Sequence, residues 1–372
     1  MRHKFNFFVF IGIVSTLLFL INAVIYNSFI FAFHYGNGSS SIIFVFALLY
    51  VSLLSSFIFS SQYYNRFTRT HYYLSMVWFG CLGYLFLTSF LYLLFVAVSG
   101  ENFSTLGEVL FVGSIIASFY GLYVARQLRI KNIVIEVDNL PEIWHQKKIA
   151  WISDVHLGQI YGKEYAQKIV NMVKEINPEA LCVGGDLFDG TTAPDCHDLV
   201  APFKELAAIM PVYFITGNHE EFNDDSVFLQ AVRGVGMIVL SNEVVELRDM
   251  QFVGVDFKNT QKRNEYMDVF SRITLTIDKP AILLKHEPKD IDVAELHGIS
   301  LQISGHTHNA QMWPFTYMVR RMYKGYEYGH KMFKKMHVYT SSGAGTWGPP
   351  MRVGTQCEIA VFHFIKSRVQ GK

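Results

Sequence analysis

The 372 residues carry 32 Lys and Arg against 31 Asp and Glu, a formal net charge of +1, and 51% of them are hydrophobic. Balanced charge gives no general reason to expect nucleic-acid binding. Four scattered cysteines (Cys81, Cys182, Cys196, Cys357) without a CxxC spacing argue against a disulfide framework or a cysteine zinc site. Mean hydropathy of +0.23 is high for a soluble chain, and the excess lies in the first part.

No Asp, Glu, Lys or Arg occurs from Phe5 to Asn65, Thr70 to Gly100 or Val109 to Ala125. A span needs about 20 apolar residues, which predicts four transmembrane helices near Phe7–Tyr26, Ile42–Ser60, Tyr73–Val98 and Val109–Ala125. The turn signal His34–Ser40 separates the first two. No small-residue cleavage site follows the first run, so it reads as a span rather than a signal peptide. Ionisable residues inside spans mark ion and proton pathways, and their absence here favours an anchor over a transporter, with Asn22 and Ser55 expected to join helices.

Arg2 and Lys4 precede the first span, Arg66 and Arg69 fall between the second and third, and Arg126, Arg129 and Lys131 follow the fourth. The other two loops carry only Glu101 and Glu108. The positive-inside rule therefore places both ends of the bundle, and the soluble part after it, in the cytoplasm. The expected organisation is a membrane anchor over residues 1–131 and a soluble domain over 132–372.

The soluble part alternates apolar β-type runs with amphipathic stretches. Strands are expected at Ile149–Ile152, Leu181–Val183, Val212–Ile215, Ala281–Leu284, Ile299–Ile303, Val338–Thr340 and Ile359–Phe364, and helices at Glu164–Ile176 and Leu199–Ile209. This alternation predicts a layered α/β unit. Asp154, Asp186, Asn218, His286 and His306 each follow the C-terminal end of a strand, where a rigid sheet aims ligands into one pocket.

Five phrases hold the polar residues: Asp154-Val155-His156, Gly185-Asp186, Gly217-Asn218-His219-Glu220, His286 and Gly305-His306-Thr307-His308. A lone Asp-x-His carries no weight, and a lone histidine is more often a surface or core residue. The specificity lies in all five together, in order, each at a strand end. Carboxylate and amide oxygens with neutral imidazoles suit Mn, Fe or Zn better than Ca. Glycine before Asp186 and before Asn218 permits tight turns that a Cβ would obstruct.

Together these blocks, over roughly residues 147–365, resemble the calcineurin-like metallophosphoesterase superfamily. The stretch Gly343–Arg352 resembles the end of its bacterial membrane-anchored subgroup. The resemblance implies a β-sandwich flanked by helices and two divalent metals, with Mg also accepted. It implies that Asp154, His156 and His308 hold one metal, Asn218, His286 and His306 the other, and that Asp186 bridges them. His219 would contact the phosphoryl group and protonate the leaving oxygen. Asp189 is either its neighbour in the site or a helix cap. One departure stands out: Asn309-Ala310 follows the last ligands, where two glycines are common in such proteins.

The expected function is metal-dependent hydrolysis of a phosphate ester or pyrophosphate at an inner membrane, with the active site cytoplasmic. Anchoring points to a phosphorylated or nucleotide-linked lipid. A phosphomonoesterase, a soluble-nucleotide phosphodiesterase, a phosphoprotein substrate and a non-catalytic metal-containing scaffold remain as alternatives. The segment Tyr317–Met336 interleaves Arg320, Arg321, Lys324, Lys331, Lys334 and Lys335 with aromatic and Met residues, which suits anionic lipid or a solvated loop over the pocket.

Overall fold

A computed structural model describes residues 2–35, 40–190, 195–222 and 225–367, with side chains from residue 12 onward. The middle of the expected His34–Ser40 turn and the side chains of Arg2 and Lys4 lie outside the described residues. The chain forms two compact units: Met1–Val124 with Gly348–Val353, and Ala125–Trp347 with Gly354–Lys372.

The first unit contains four helices long and apolar enough to cross a membrane: α1 (Arg2–Ala32), α2 (Ser40–Gln62), α3 (Arg66–Ser99) and α4 (Ser104–Ala125). They outrun the expected spans, because the flanking polar residues serve as caps and end turns. Asn65 closes a capping box with Thr68, at 3.0 and 3.1 Å. Gly100 ends α3 at φ +74°, a conformation that favours glycine. Hydroxyls join neighbouring helices: Ser52 to Ser75 at 3.0 Å and Thr88 to Ser114 at 2.8 Å. Asn22 instead donates to Leu18 O of its own helix, and Ser55 reaches α3 only through His71 at 3.5 Å. Late in the chain, the Arg352 N–H donates to Gly121 O at 3.0 Å, and Met351 packs where Gly80 has no side chain.

The second unit is an α/β domain of two mixed six-stranded sheets. The strands are β1 (Leu128–Val137), β2 (Lys148–Ile152), β3 (Leu181–Val183), β4 (Val212–Phe214), β5 (Ile238–Val239), β6 (Glu243–Leu247), β7 (Met250–Gly254), β8 (Ala281–Leu284), β9 (Leu301–Ser304), β10 (Gly329–Phe333), β11 (Met336–Thr340) and β12 (Cys357–Lys366). One sheet runs β1-β12-β2-β3-β4-β5 and the other β10-β11-β9-β8-β7-β6.

Alternation along the strands builds three cores. Ile149 and Trp151 of β2 face inward with Tyr213, Phe252, Ile282, Ile303 and Phe362 between the sheets. Ala150 and Ile152 face outward with Ile169, Val173 and Phe203, against helix α5 (Lys163–Ile176) and its neighbours. Val253, Leu283 and Val338 pack on the helices Arg263–Arg272 and Ile291–Leu296. A sheet covered on both faces explains why its strands read as continuous apolar runs. The expected helix Leu199–Ile209 is broken into Cys196–Val200, a 3-10 turn Ala201–Phe203 and Lys204–Ala207, because Pro202 has no N–H to continue the ladder.

Candidate metal centre

Neighbouring strands β2, β3 and β4 of one sheet are parallel, as are β8 and β9 of the other. Their C-terminal ends emit five loops, and backbone bonds stitch the loops together. Asp154 N–H donates to Gly185 O at 3.0 Å, His156 N–H to Asp186 O at 3.1 Å and Gly305 N–H to His286 O at 2.8 Å. Close approach requires glycine at two places. A Cβ on Gly217 would lie 2.2 Å from Asp186 Oδ1, and one on Gly305 would lie 2.3 Å from Asp154 Oδ2. The tail stretch follows the same logic: Gly343 at φ +85° lets the chain run against Asp154, and Gly345 N–H donates to Asp154 O at 2.9 Å.

All eight residues singled out from the sequence converge. Asp154, His156 and His308 form one buried group, and Asp186, His286 and His306 form another. His156, Asp186 and His219 overlap both. His156 Nε2 lies 3.0 Å from His308 Nε2, and His308 Nε2 lies 3.6 Å from Asp154 Oδ1. On the other side, Asn218 Oδ1 sits 3.2 Å from His286 Nε2 and 2.8 Å from His306 Nδ1. Asp186 Oδ2 stands between, 4.0 Å from His156 Nε2 and 3.2 Å from His286 Nε2.

Ring orientation is set from behind. His286 Nδ1–H donates to Gly184 O at 2.7 Å, which turns Nε2 inward. His219 Nδ1–H donates to Asp189 O at 3.1 Å and leaves Nε2 for the site. The Asp189 carboxylate lies 3.6 Å from His156 Nδ1, so this residue backs two site imidazoles, and it caps no helix among the described residues.

Burial would raise the Asp186 carboxyl, but the imidazoles of His286, His219 and His156 outweigh it and hold the group below the usual carboxylate range. Burial would likewise lower His286, yet the Asp186 charge lifts it to about 10. Burial, followed by His286, pushes His306 down to about 4. His286 therefore favours its protonated form beside Asp186, while His306 favours its neutral form.

Two features were not legible in the sequence. Asp154, His156, Asp186, His306 and His308 all have φ between +49° and +69°, a region that L-residues other than Asn and Asp seldom adopt. Strain of this kind collects at functional sites that the surrounding packing over-determines. The second is Glu220, fully buried, whose carboxylate accepts N–H bonds from Asp186 and Gly217 at 2.8 Å each and from Phe188 at 3.1 Å. Its place in the quoted Gly-Asn-His-Glu phrase was the only hint.

A calcineurin-like phosphoesterase profile matches residues 147–310. Residues 147–310 form a calcineurin-like phosphoesterase domain. It is 31% identical over 243 residues to an uncharacterised metallophosphoesterase of Helicobacter pylori strain J99, covering 64% of each chain. It is 27% identical over 323 residues to a transmembrane protein with metallophosphoesterase domain of Danio rerio, covering 78% of this chain and 74% of that one. Among solved structures it is similar to GAP50, the anchor in the inner membrane complex of Plasmodium, at 11% identity and a TM-score of 0.34, covering 58% of this chain and 80% of that chain. The match thus spans just under two thirds of the Helicobacter relative's length.

Proposed function

We propose that this domain hydrolyses a phosphate ester or pyrophosphate with two divalent cations. The observation that carries the reading is the position of Asp186 between two buried donor groups, with facing imidazole nitrogens 3.0 Å apart in one of them. The donor chemistry fits: nitrogen and oxygen atoms converge at both ends of the site, with His286 Nε2 turned inward by the Gly184 carbonyl behind Nδ1. Asp154, His156 and His308 would hold one cation and Asn218, His286 and His306 the other, with Asp186 shared. The donor set suits Mn, Fe or Zn, with Mg also accepted.

Two bound cations would supply Lewis acidity, acidifying a water and neutralising phosphoryl oxygens. The chain's residues do the rest. His219 would present Nε2 to the phosphoryl group. Burial and then His156 push this ring below the ordinary histidine range, towards neutrality, and an approaching phosphate charge would restore the proton that it gives to the leaving oxygen. Asp189 would hold the ring's tautomer. No side-chain nucleophile is required.

Charge asymmetry of the loops supports a cytoplasmic catalytic side at an inner membrane. Tethering favours a phosphorylated or nucleotide-linked lipid as substrate, and a soluble phosphomonoester or nucleotide diester is the second reading. Purified full-length protein with Mn²⁺, given bis-p-nitrophenyl phosphate and p-nitrophenyl phosphate, separates a diesterase from a phosphomonoesterase. Preference for the diester, absent in Asp186→Ala, supports a diesterase, for which lipid and nucleotide diesters are then compared; preference for the monoester supports the phosphomonoesterase. Absence of metal-dependent turnover with both would favour a metal-containing scaffold.

A further inference from the structure

One segment beside the site has an apolar side with no protein cover. Phe315–Met322 forms a helix with no buried residue. Phe315, Met318, Val319 and Met322 recur at i, i+3, i+4 and i+7 and so share one face. Phe315 is 42% exposed, Met318 59% and Met322 66%, and Trp313 just before the helix is 51% exposed. Arg320 lies on the other side and Arg321 at the margin of the apolar face, and Trp313–Tyr326 contains Arg320, Arg321 and Lys324 but no acidic residue. Lys334 and Lys331, further on, are partnered by Glu295 and Glu327.

We propose that the helix Phe315–Met322 lies in the surface of an anionic bilayer, with Phe315, Met318 and Met322 among the acyl chains and Arg320, Arg321 and Lys324 on lipid phosphates. An apolar face opposed by arginines is the pattern of helices that rest in the interface plane. A bilayer is the occupant argued for, because four helices of the same chain are long and apolar enough to cross one. Arg320, Arg321 and Lys324, which have no ion-pair partner among the described residues, also complement the anionic headgroups of such a surface.

The helix is tied to the metal centre at both ends. It begins seven residues after His308 in a chain segment whose Gln311 bonds the Trp347 backbone at 3.0 Å. Past its end, Tyr323 Oη–H donates to Glu287 Oε1 at 2.8 Å, and Glu287 follows His286 and lies 3.7 Å from His306 Nε2. Thr307 Oγ1–H, between the last two imidazoles, donates to Glu327 O at 2.7 Å. A phosphate-bearing lipid gathered by the helix is therefore handed to the site. This consequence rests on the proposed hydrolysis; the docking itself does not.

The test is the immersion depth of a spin label at Met318→Cys in the full chain, reconstituted in nanodiscs with and without phosphatidylglycerol. The unlabelled-site background comes from the parent chain, and Arg320→Cys reports the opposite face. The expected result is that the label at 318 is open to oxygen and shielded about tenfold from an aqueous nickel chelate in anionic discs, while the label at 320 is not. Equal access of the chelate at both positions overturns the proposal, as does shielding that requires two chains per disc, which would assign the face to a second copy. A second arm uses Met318→Asp with Met322→Asp. Hydrolysis of a vesicle phospholipid should fall about tenfold while turnover of soluble bis-p-nitrophenyl phosphate stays within about twofold. Equal loss of both counts against the proposal. The depth reading needs no turnover, so it remains decisive if the hydrolytic reading fails.

Discussion

The Glu220 carboxylate holds the backbone of Asp186, accepting its N–H at 2.8 Å while also accepting those of Gly217 and Phe188. One buried side chain thereby fixes the loop that carries the shared carboxylate against the loop that carries Asn218. A carboxylate offers acceptors on both oxygens, whereas an amide offers one oxygen and an NH₂ that would face a donor. Glu220→Gln should lower metal occupancy with a modest loss of melting temperature. Glu220→Ala strands three buried N–H groups and should cost about 3 kcal/mol or more. Thermal unfolding combined with elemental analysis checks both, and unchanged metal content in both variants would remove Glu220 from the account.

His219 faces the site through Nε2 but takes its orientation from Asp189 O. His219→Ala should keep both metals and lose about 10²–10⁴-fold in kcat, the usual range for a general acid. Loss of a metal equivalent in this variant would make His219 a ligand instead.

In the metal-free domain His286 is lifted to about 10 by Asp186, against an ordinary value of 6.5. The stability from this pair is then fully present below about pH 6.5 and disappears as pH rises through about 10. Cation binding needs the neutral ring and must expel the proton. Loading at pH 7 should therefore release at least one proton per chain, and affinity should strengthen by up to about tenfold per pH unit between 7 and 9. Calorimetric titration in buffers of different ionisation enthalpy measures the release; none at pH 7 would contradict the His286–Asp186 pair.

Ala310 sits at φ +57° in a run from His308 to Gln311 whose φ angles are all positive. Alanine pays for this conformation in Cβ contacts, and glycine does not. Ala310→Gly should raise stability by about 0.5–1 kcal/mol in chemical denaturation without altering metal content.

Strand ends were legible because β2, β3, β4, β8 and β9 are buried apolar runs that stop abruptly at a polar residue. Their convergence on one pocket follows from parallel neighbours within each sheet. By contrast, β1 was hidden. Arg129 and Lys131 alternate with Leu128 and Ile130 just after α4, so they read as the charged end of a span. The pairing partner of β1 is β12, in parallel register from Leu128 opposite Cys357, more than 200 residues away. No local signal carries a contact of that kind. The strands β5, β6 and β10 are short or sit at sheet edges, where the alternation is weak, and Gln251 and Gly254 interrupt the apolar run of β7. The left-handed backbone at Asp154, His156, Asp186, His306 and His308 was also unreadable, since it is imposed by bonds from other loops such as His306 N–H to Asp154 Oδ1 at 2.9 Å. Met351 and Arg352 were expected to belong with the tail of the soluble part, yet they pack within the helical unit through Gly80 and Gly121.

The central claim is a pair of cations sharing Asp186. Anomalous diffraction from crystals of the full-length protein, recorded on both sides of the manganese edge after loading with Mn²⁺, tests it directly. The account predicts two peaks per chain, one among Asp154, His156 and His308 and one among Asn218, His286 and His306, each in contact with Asp186. A single peak, or two that leave Asp186 without a metal, would contradict it.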